Sequence, residues 1–190
     1  MGCTREITSG ITFSCSDIFD PIGVDKDLIL VNYDEFDYDG TVDVSNREAD
    51  DTNNNQGGLT SIKLKTGATQ HVFEGTDYSV IPTVTGEVNE DGNTWYLHSI
   101  AFTVYNKDAE SRKTLENLGG SRVVAIAVDR STGLYEIFGI RHGLKVSAME
   151  RVYTGAQKSN AYGVTIATPE IAVLREPTVG ELAVDIVTAV

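Results

Sequence analysis

KDAESRKTLENLGGSRVVAIAVDRSTGLYEIFGI, from Lys107 to Ile140, reads as a short helix, a stop, a strand, a tight turn and a second strand. Asn106 or Asp108 suits the helix N-cap, because a short side-chain oxygen accepts from the free N–H groups of the first turn. Asp108 and Glu110 fall in that turn, where the helix dipole favours negative charge. Ala109, Arg112, Leu115 and Leu118 recur every three residues, giving a narrow stripe with Leu115 and Leu118 as its apolar end. Gly119-Gly120 predicts a left-handed stop. A helix over about residues 107–118 is too short to stand alone, so Leu115 and Leu118 are expected to dock it on a sheet. Then SRVVAIAVD and LYEIFGI form a hairpin through Arg130–Gly133.

Working outward, the flanking sequence is almost all strand pattern. Leu28–Tyr33 is apolar enough to be buried on both faces at its start. Leu59–Lys65 alternates with period two, the mark of a half-buried strand, and Gln70–Glu74 returns after Thr66-Gly67. Asp77–Val88 is extended, with Pro82 arguing for an edge or a bend, and Asn89–Asn93 carries the Asp-Gly signal of a hairpin. Its partner, Thr94–Tyr105, has large apolar groups on both faces and is expected between two layers. Leu144–Thr154 and Ala161–Thr168 complete the core. Roughly nine strands and one helix predict a mainly β chain, a β-sandwich or partial barrel with one flanking helix.

The pattern predicts a single domain over residues 1–190. Residues 1–27 form an arm with a short strand at Gly10–Ser14, 28–169 the β core, and 170–190 a C-terminal arm. That last stretch either docks on a neighbouring subunit or adds a final strand to the same domain. Asp34–Gly58 reads as a long mobile loop with a short strand at Thr41–Val44; such loops are functional, disordered or ordered by a partner.

The net charge of −13 is concentrated. Residues 1–100 hold 18 acidic and 5 basic side chains, the whole imbalance, and residues 101–190 hold 10 of each. An acidic chain is poorly suited to gripping nucleic-acid phosphates. Cys3 and Cys15 show no ligand or disulfide spacing, favouring a reduced, intracellular setting. No apolar run approaches the ~20 residues that span a membrane, and the N-terminus has no signal-peptide pattern.

The search for chemistry yields little. The sequence has no phosphate-cradling Gly-Lys-Ser/Thr loop and no GxSxG elbow. His71, His98 and His142 are isolated; His98 on a strand reads as structural and His142 in a turn as solvated. No catalytic residue and no cofactor is predicted, and the chain is expected not to be an enzyme. Asp37, Asp39 and Asp43, beside Asp34 and Glu35, are weak calcium candidates, since Gly40 comes too early for an EF-hand. Tyr33, Phe36 and Tyr38 among these acids suggest either a sugar platform or pins holding the loop to a neighbour. Trp95, the one tryptophan, lies mid-strand. A calcium- or carbohydrate-binding β-sandwich module is therefore the alternative from a different class.

One further reading rests on layout. Leu115–Gly120, Phe138-Gly139, Gly143-Leu144 and Thr168-Pro169-Glu170, with the opening CTREITSGITFSCSD, resemble tail-tube and related virion proteins of tailed bacteriophages, especially those of Bacteroides-group phages and prophages. The resemblance covers roughly residues 95–170 and marks backbone turns. It implies a homo-oligomeric virion subunit: six copies in a ring, their inner sheets joined edge to edge, with rings stacking on each other and meeting other tail proteins. DNA would pass through the lumen without sequence-specific binding. Assembly would take place in the host cytoplasm, with no membrane partner. A neck, connector or head decoration protein shares these features. Part of the acid excess is expected to face such a lumen, since attraction would stall a polyanion.

Overall fold

Ten strands and two α-helices make up the residues that the computed structural model describes: 23–43, 58–88, 94–106, 108–151, 161–169 and 181–188. In chain order these are β1 (Val24–Asn32), a 3-10 turn (Tyr33–Glu35), α1 (Tyr38–Val42), β2 (Leu59–Leu64), β3 (Gln70–Glu74), β4 (Val80–Val88) and β5 (Thr94–Val104). There follow α2 (Ala109–Gly120), β6 (Val123–Asp129), β7 (Tyr135–Phe138), β8 (Lys145–Arg151), β9 (Tyr162–Ala167) and β10 (Glu181–Thr188). They form two sheets. Sheet A has the order β2-β10-β7-β6-β1-β3 and is parallel only between β2 and β10. Sheet B, β4-β5-β9-β8, is antiparallel throughout. The mainly β, sandwich-like class expected from the sequence is what the chain adopts.

The run VVAIAV, Val123–Val128 of β6, is unbroken by polar residues because sheet A is covered on both sides. Val123, Ala125 and Ala127 face the core shared with sheet B, alongside Leu28, Leu30, Phe138, Val80, Ile100, Phe102, Val164 and Ile166. Val124 and Ile126 point the opposite way, into a second core with Val31, Phe36, Leu59, Ile62, Leu64, Ile137, Ile140 and Ala183. Each Leu or Ile fully withdrawn from water stabilises the fold by about 1.5–3 kcal/mol before entropy is charged against it.

The second core is roofed by the return of sheet A on itself. β10 pairs with β7 through residues 181–183 and with β2 through residues 183–188. The continuation of β1 then meets β2: Phe36 bridges Leu64, the Asp37 N–H donates to Lys63 O (3.1 Å) and the Lys65 N–H to Glu35 O (2.9 Å). This is one bridge, short of a closed barrel. Buried Thr41 in α1 reinforces it, its Oγ1 accepting from the Lys63 N–H at 2.8 Å.

Helix α2 docks as expected, with Leu115 and Leu118 buried in the inter-sheet core. Asp108 is its N-cap, accepting from the Ser111 N–H at 2.6 Å, and that bond holds its carboxyl below the usual carboxylate range. The stop differs. Neither Gly119 nor Gly120 is left-handed; the helix runs through both and ends at an extended Ser121, whose N–H donates to Leu118 O and whose Oγ donates to Asn117 O. A side chain supplies the termination that the glycine pair was expected to supply.

Three further expectations need correction. The first strand begins at Val24, inside the expected arm. The acidic stretch after it is not a loop as far as Asp43: it holds a 3-10 turn and α1 where a strand was expected from Thr41, because the Asp37 cap starts a helical turn. The Asp34–Gly58 segment beyond residue 43 lies outside the described residues up to 57, as does the expected strand at Gly10–Ser14. Of the two expectations for the C-terminal stretch, residues 181–188 follow the second: they add a strand to sheet A of the same domain. Finally, among the described residues β5 is covered on one face only.

Candidate functional site

Strand alternation sorts sheet B into two faces. Tyr96, His98, Ile100, Phe102 and Val104 of β5 turn toward sheet A, and Trp95, Leu97, Ser99, Ala101 and Thr103 turn away. The register carries this outer face across all four strands: Ile81 lies beside Ala101, Ala101 beside Thr165, and Thr165 beside Ala148. The next row is Thr83, Ser99, Ala167 and Lys145. Short side chains dominate, and the charged members of this face among the described residues are Glu87, Lys145 and Glu150. Where Ala101, Thr165 and Gly163 meet, the face sinks into a shallow depression of about 230 Å³.

No layer covers this face among the described residues. Ile81 is 56% exposed and Trp95 39%. The β4–β5 hairpin runs on past the core, so that Val88 is 70% exposed although its alternation would place it inward. Both edge strands, β4 and β8, have one described neighbour each. Pro82 in β4 offers no N–H, and β8 carries a register shift between Val146 and Ala148, two features that restrict edge pairing.

The residues considered for chemistry lie elsewhere. Asp37 caps α1, its Oδ1 accepting from the Gly40 N–H at 2.9 Å. Gly40 serves that cap, not a calcium loop, since a Cβ there would stand 2.3 Å from Asp37 Oδ2. Asp39 O and Asp37 O accept the closing bonds of α1, Asp43 is its C-cap, and Glu35 Oε2 accepts from the Thr69 N–H at 3.1 Å. Among the described residues no three Asp, Glu, His or Cys side chains converge on a metal position.

The aromatic residues of this stretch are pins. Phe36 is buried, and Tyr33 and Tyr38 pack against the second core. Arg122 lies over the Tyr33 ring at 4.1 Å, while the Tyr33 hydroxyl donates to Arg141 O. These contacts remove them from a sugar platform.

The three histidines occupy separate places. His71 is exposed on β3. His142 sits half-buried in the turn after β7, its carbonyl accepting from Arg122 Nε. His98 is fully buried; its Nδ1 accepts from the Gly139 N–H at 3.1 Å and its ring meets Phe138 edge-on at 5.9 Å. An accepting Nδ1 is the unprotonated nitrogen, so His98 bonds sheet B to the end of β7 as a structural residue.

Sequence reasoning missed the bare outer face because it assigned β5 to the middle of two layers. The signal was present: Ser99, Ala101 and Thr103 are small on one side, while Ile100, Phe102 and Val104 are large on the other. It also missed Glu136 on β7, whose carboxyl is pushed up by burial and then by nearby Asp129. No helix among the described residues is long and apolar enough to cross a membrane. No family model, characterised protein or solved structure matches the chain.

Proposed function

We propose that this chain is a structural, non-enzymatic subunit of a phage tail tube, working as a hexameric ring that stacks into a conduit for DNA. The observation that carries the reading is the outer face of sheet B, bare and built from short, mostly uncharged side chains, on a sheet with two singly paired edges. Four antiparallel strands give β4 and β8 opposite directions. Rotating a copy about an axis parallel to the strands therefore sets β8 against β4 of the next copy in antiparallel sense, and the sheet continues around a ring. Barrels of about 16–18 strands already leave an aqueous channel, and six four-stranded units exceed that.

In such a ring the outer face of sheet B lines the bore. Its Ser, Thr, Ala and Gly residues offer a polyanion no cationic groove to bind. The expectation of an acidic bore is weaker than the smoothness argument. Of the described acidic residues before residue 101, Glu87 alone lies on this face, against many around β1, α1 and β3. Pro82 and the irregularity in β8 confine strand pairing at the joint to part of each edge. The projecting β4–β5 hairpin, with Val88 and Trp95 exposed, is placed to touch a neighbouring copy or ring. A neck or connector ring would use the same face without stacking. Sedimentation and negative-stain microscopy of the purified chain test the reading: rings or tubes are expected, and a monomer at every concentration would defeat it.

A further inference from the structure

The two edges of sheet B carry enough detail to fix the register in which β8 of one copy meets β4 of the next. Pairing across the sheet sets Lys145 level with Thr83, Val146 with Pro82, Ala148 with Ile81 and Met149 with Val80. With strands set strictly along the ring axis, the copies join without stagger. β8 then overlaps β4 over Val80–Thr83 alone, Pro82 with no N–H falls inside that overlap, and Val84–Val88 gain no partner. Such a joint also has no tilt, whereas closing a barrel takes strands tilted by about 35–45°.

We propose that the joint is staggered by four residues, so that Lys145 of one copy pairs with Glu87 of the next; this rests on the ring reading above. Only an even stagger keeps the outer face continuous from copy to copy. A stagger of about four residues, at ~3.3 Å each, across four strands ~4.8 Å apart gives a tilt of about 35°, and about two residues give only ~19°. At four, the levels from Lys145 to Arg151 fall on Glu87 to Pro82. All of β8 is then paired, and Pro82 stands at the end of the joint, opposite Arg151 of the neighbouring copy. Two side-chain contacts follow. On the outer face the exposed Lys145 and Glu87 become direct cross-strand neighbours of opposite charge. On the core side, Met149 shares its level with the core residues Val164 and Phe102 but is 37% exposed at the sheet edge. Val84, which packs against the same core, comes beside it and covers it. The Lys145–Glu87 pair also cancels two of the charges on this face, leaving Glu150 among the described residues.

Disulfide cross-linking of the full-length chain tests the register. Directly paired residues have Cα atoms about 4.5–5.5 Å apart, within disulfide reach. Glu87→Cys combined with Lys145→Cys should give a ladder of covalent oligomers, at least about tenfold more than Thr83→Cys combined with Lys145→Cys. Within one copy either pair is three strands apart, about 14 Å or more, so only contacts between copies report. The unsubstituted chain under the same oxidant gives the background from Cys3 and Cys15. A second measurement uses charge: Glu87→Lys should raise the concentration at which rings form by roughly threefold, the size of an exposed ion pair, and adding Lys145→Glu should restore it. Three results would overturn the register: preferential cross-linking of the Thr83 pair, no cross-linking of either pair in rings seen by microscopy, or charge variants that assemble like the unsubstituted chain. Each of these leaves the ring itself standing. A monomer at every concentration of the unsubstituted chain would defeat the ring and this joint with it.

Discussion

Sheet A and sheet B use strands of similar length and similar β-branched content, yet they end in opposite environments. Sheet A has a core on each side, and its middle strand β6 is apolar at consecutive positions. Sheet B has one core side and, among the described residues, one uncovered side, and from Ser99 to Val104 β5 alternates small with large. The difference teaches where selection for packing stops. On sheet A both faces need volume to fill space. On the outer face of sheet B bulk is confined to Ile81, Trp95 and Leu97 and charge is sparse, although an ordinary solvent face of a sheet would tolerate long charged side chains. A surface kept both small and nearly uncharged suits a neighbour or a passage better than it suits bulk water.

The contrast can be broken by matched substitutions. Ile126→Ala on β6 removes a side chain with no exposure from the second core and should lower stability by about 2–5 kcal/mol. Ile81→Ala, the same chemical change on the bare face, should stay within about 0.5 kcal/mol. Chemical denaturation of both variants checks this, and comparable losses would mean that sheet B is covered in the folded subunit. Gly139→Ala attacks the junction between the sheets. Gly139 has φ of 71°, and an added Cβ would sit 2.7 Å from Leu144 Cγ, so a loss of about 1–3 kcal/mol from strain is expected, with more from the clash and from the disturbed His98 bond.

A smaller effect tests how tightly sheet A excludes water. Burial, followed by the charge on Asp129, raises the Glu136 carboxyl above its usual value. A raised carboxylate pKa favours the folded state below the unfolded value, about 4.3, and that advantage is lost as pH rises through the folded value. Glu136→Gln should therefore raise the melting temperature at pH 7, with the gain shrinking to nothing as pH falls below about 4. A gain that persists at low pH would place its origin outside ionisation. Smallest of all, Thr83→Lys on the outer face should leave the thermal midpoint of the dispersed subunit nearly unchanged, within about 0.5 kcal/mol. A marked loss would show that this face has a packing role within one copy.

Much of the framework was legible in the sequence. A period-two run identified β2, the segments Gln70–Glu74, Thr94–Tyr105 and Ala161–Thr168 anticipated β3, β5 and β9 close to their observed limits, and Asp108, Leu115 and Leu118 marked α2 with its cap and docking stripe. The misreadings have physical causes. Termination by Ser121 depends on local bonding that Gly119-Gly120 masked. The Asp37 cap competes with strand propensity at Thr41 and Val42, and wins because Gly40 leaves room for the carboxylate. Residues 181–188 form the final strand that was one of two expectations, and their place between β2 and β7 is a long-range pairing that local patterns do not encode. For the site, the sequence pointed at the acids around Asp37, where the Asp37 carboxylate caps α1 and the Glu35 carboxylate holds the turn after β2. On the outer face of sheet B the ionisable groups among the described residues are Glu87, Lys145 and Glu150, and a run of small residues is a weak signal without knowledge of which side of a strand is covered.

The central claim is that the outer face of sheet B lines an enclosed bore. Electron cryomicroscopy of the assembled protein tests it most directly. The account predicts six-fold rings in which Thr83, Ala101 and Thr165 point at the axis and β4 of each copy lies against β8 of the next. Rings with sheet A innermost, or with these three residues on the outer circumference, would contradict it.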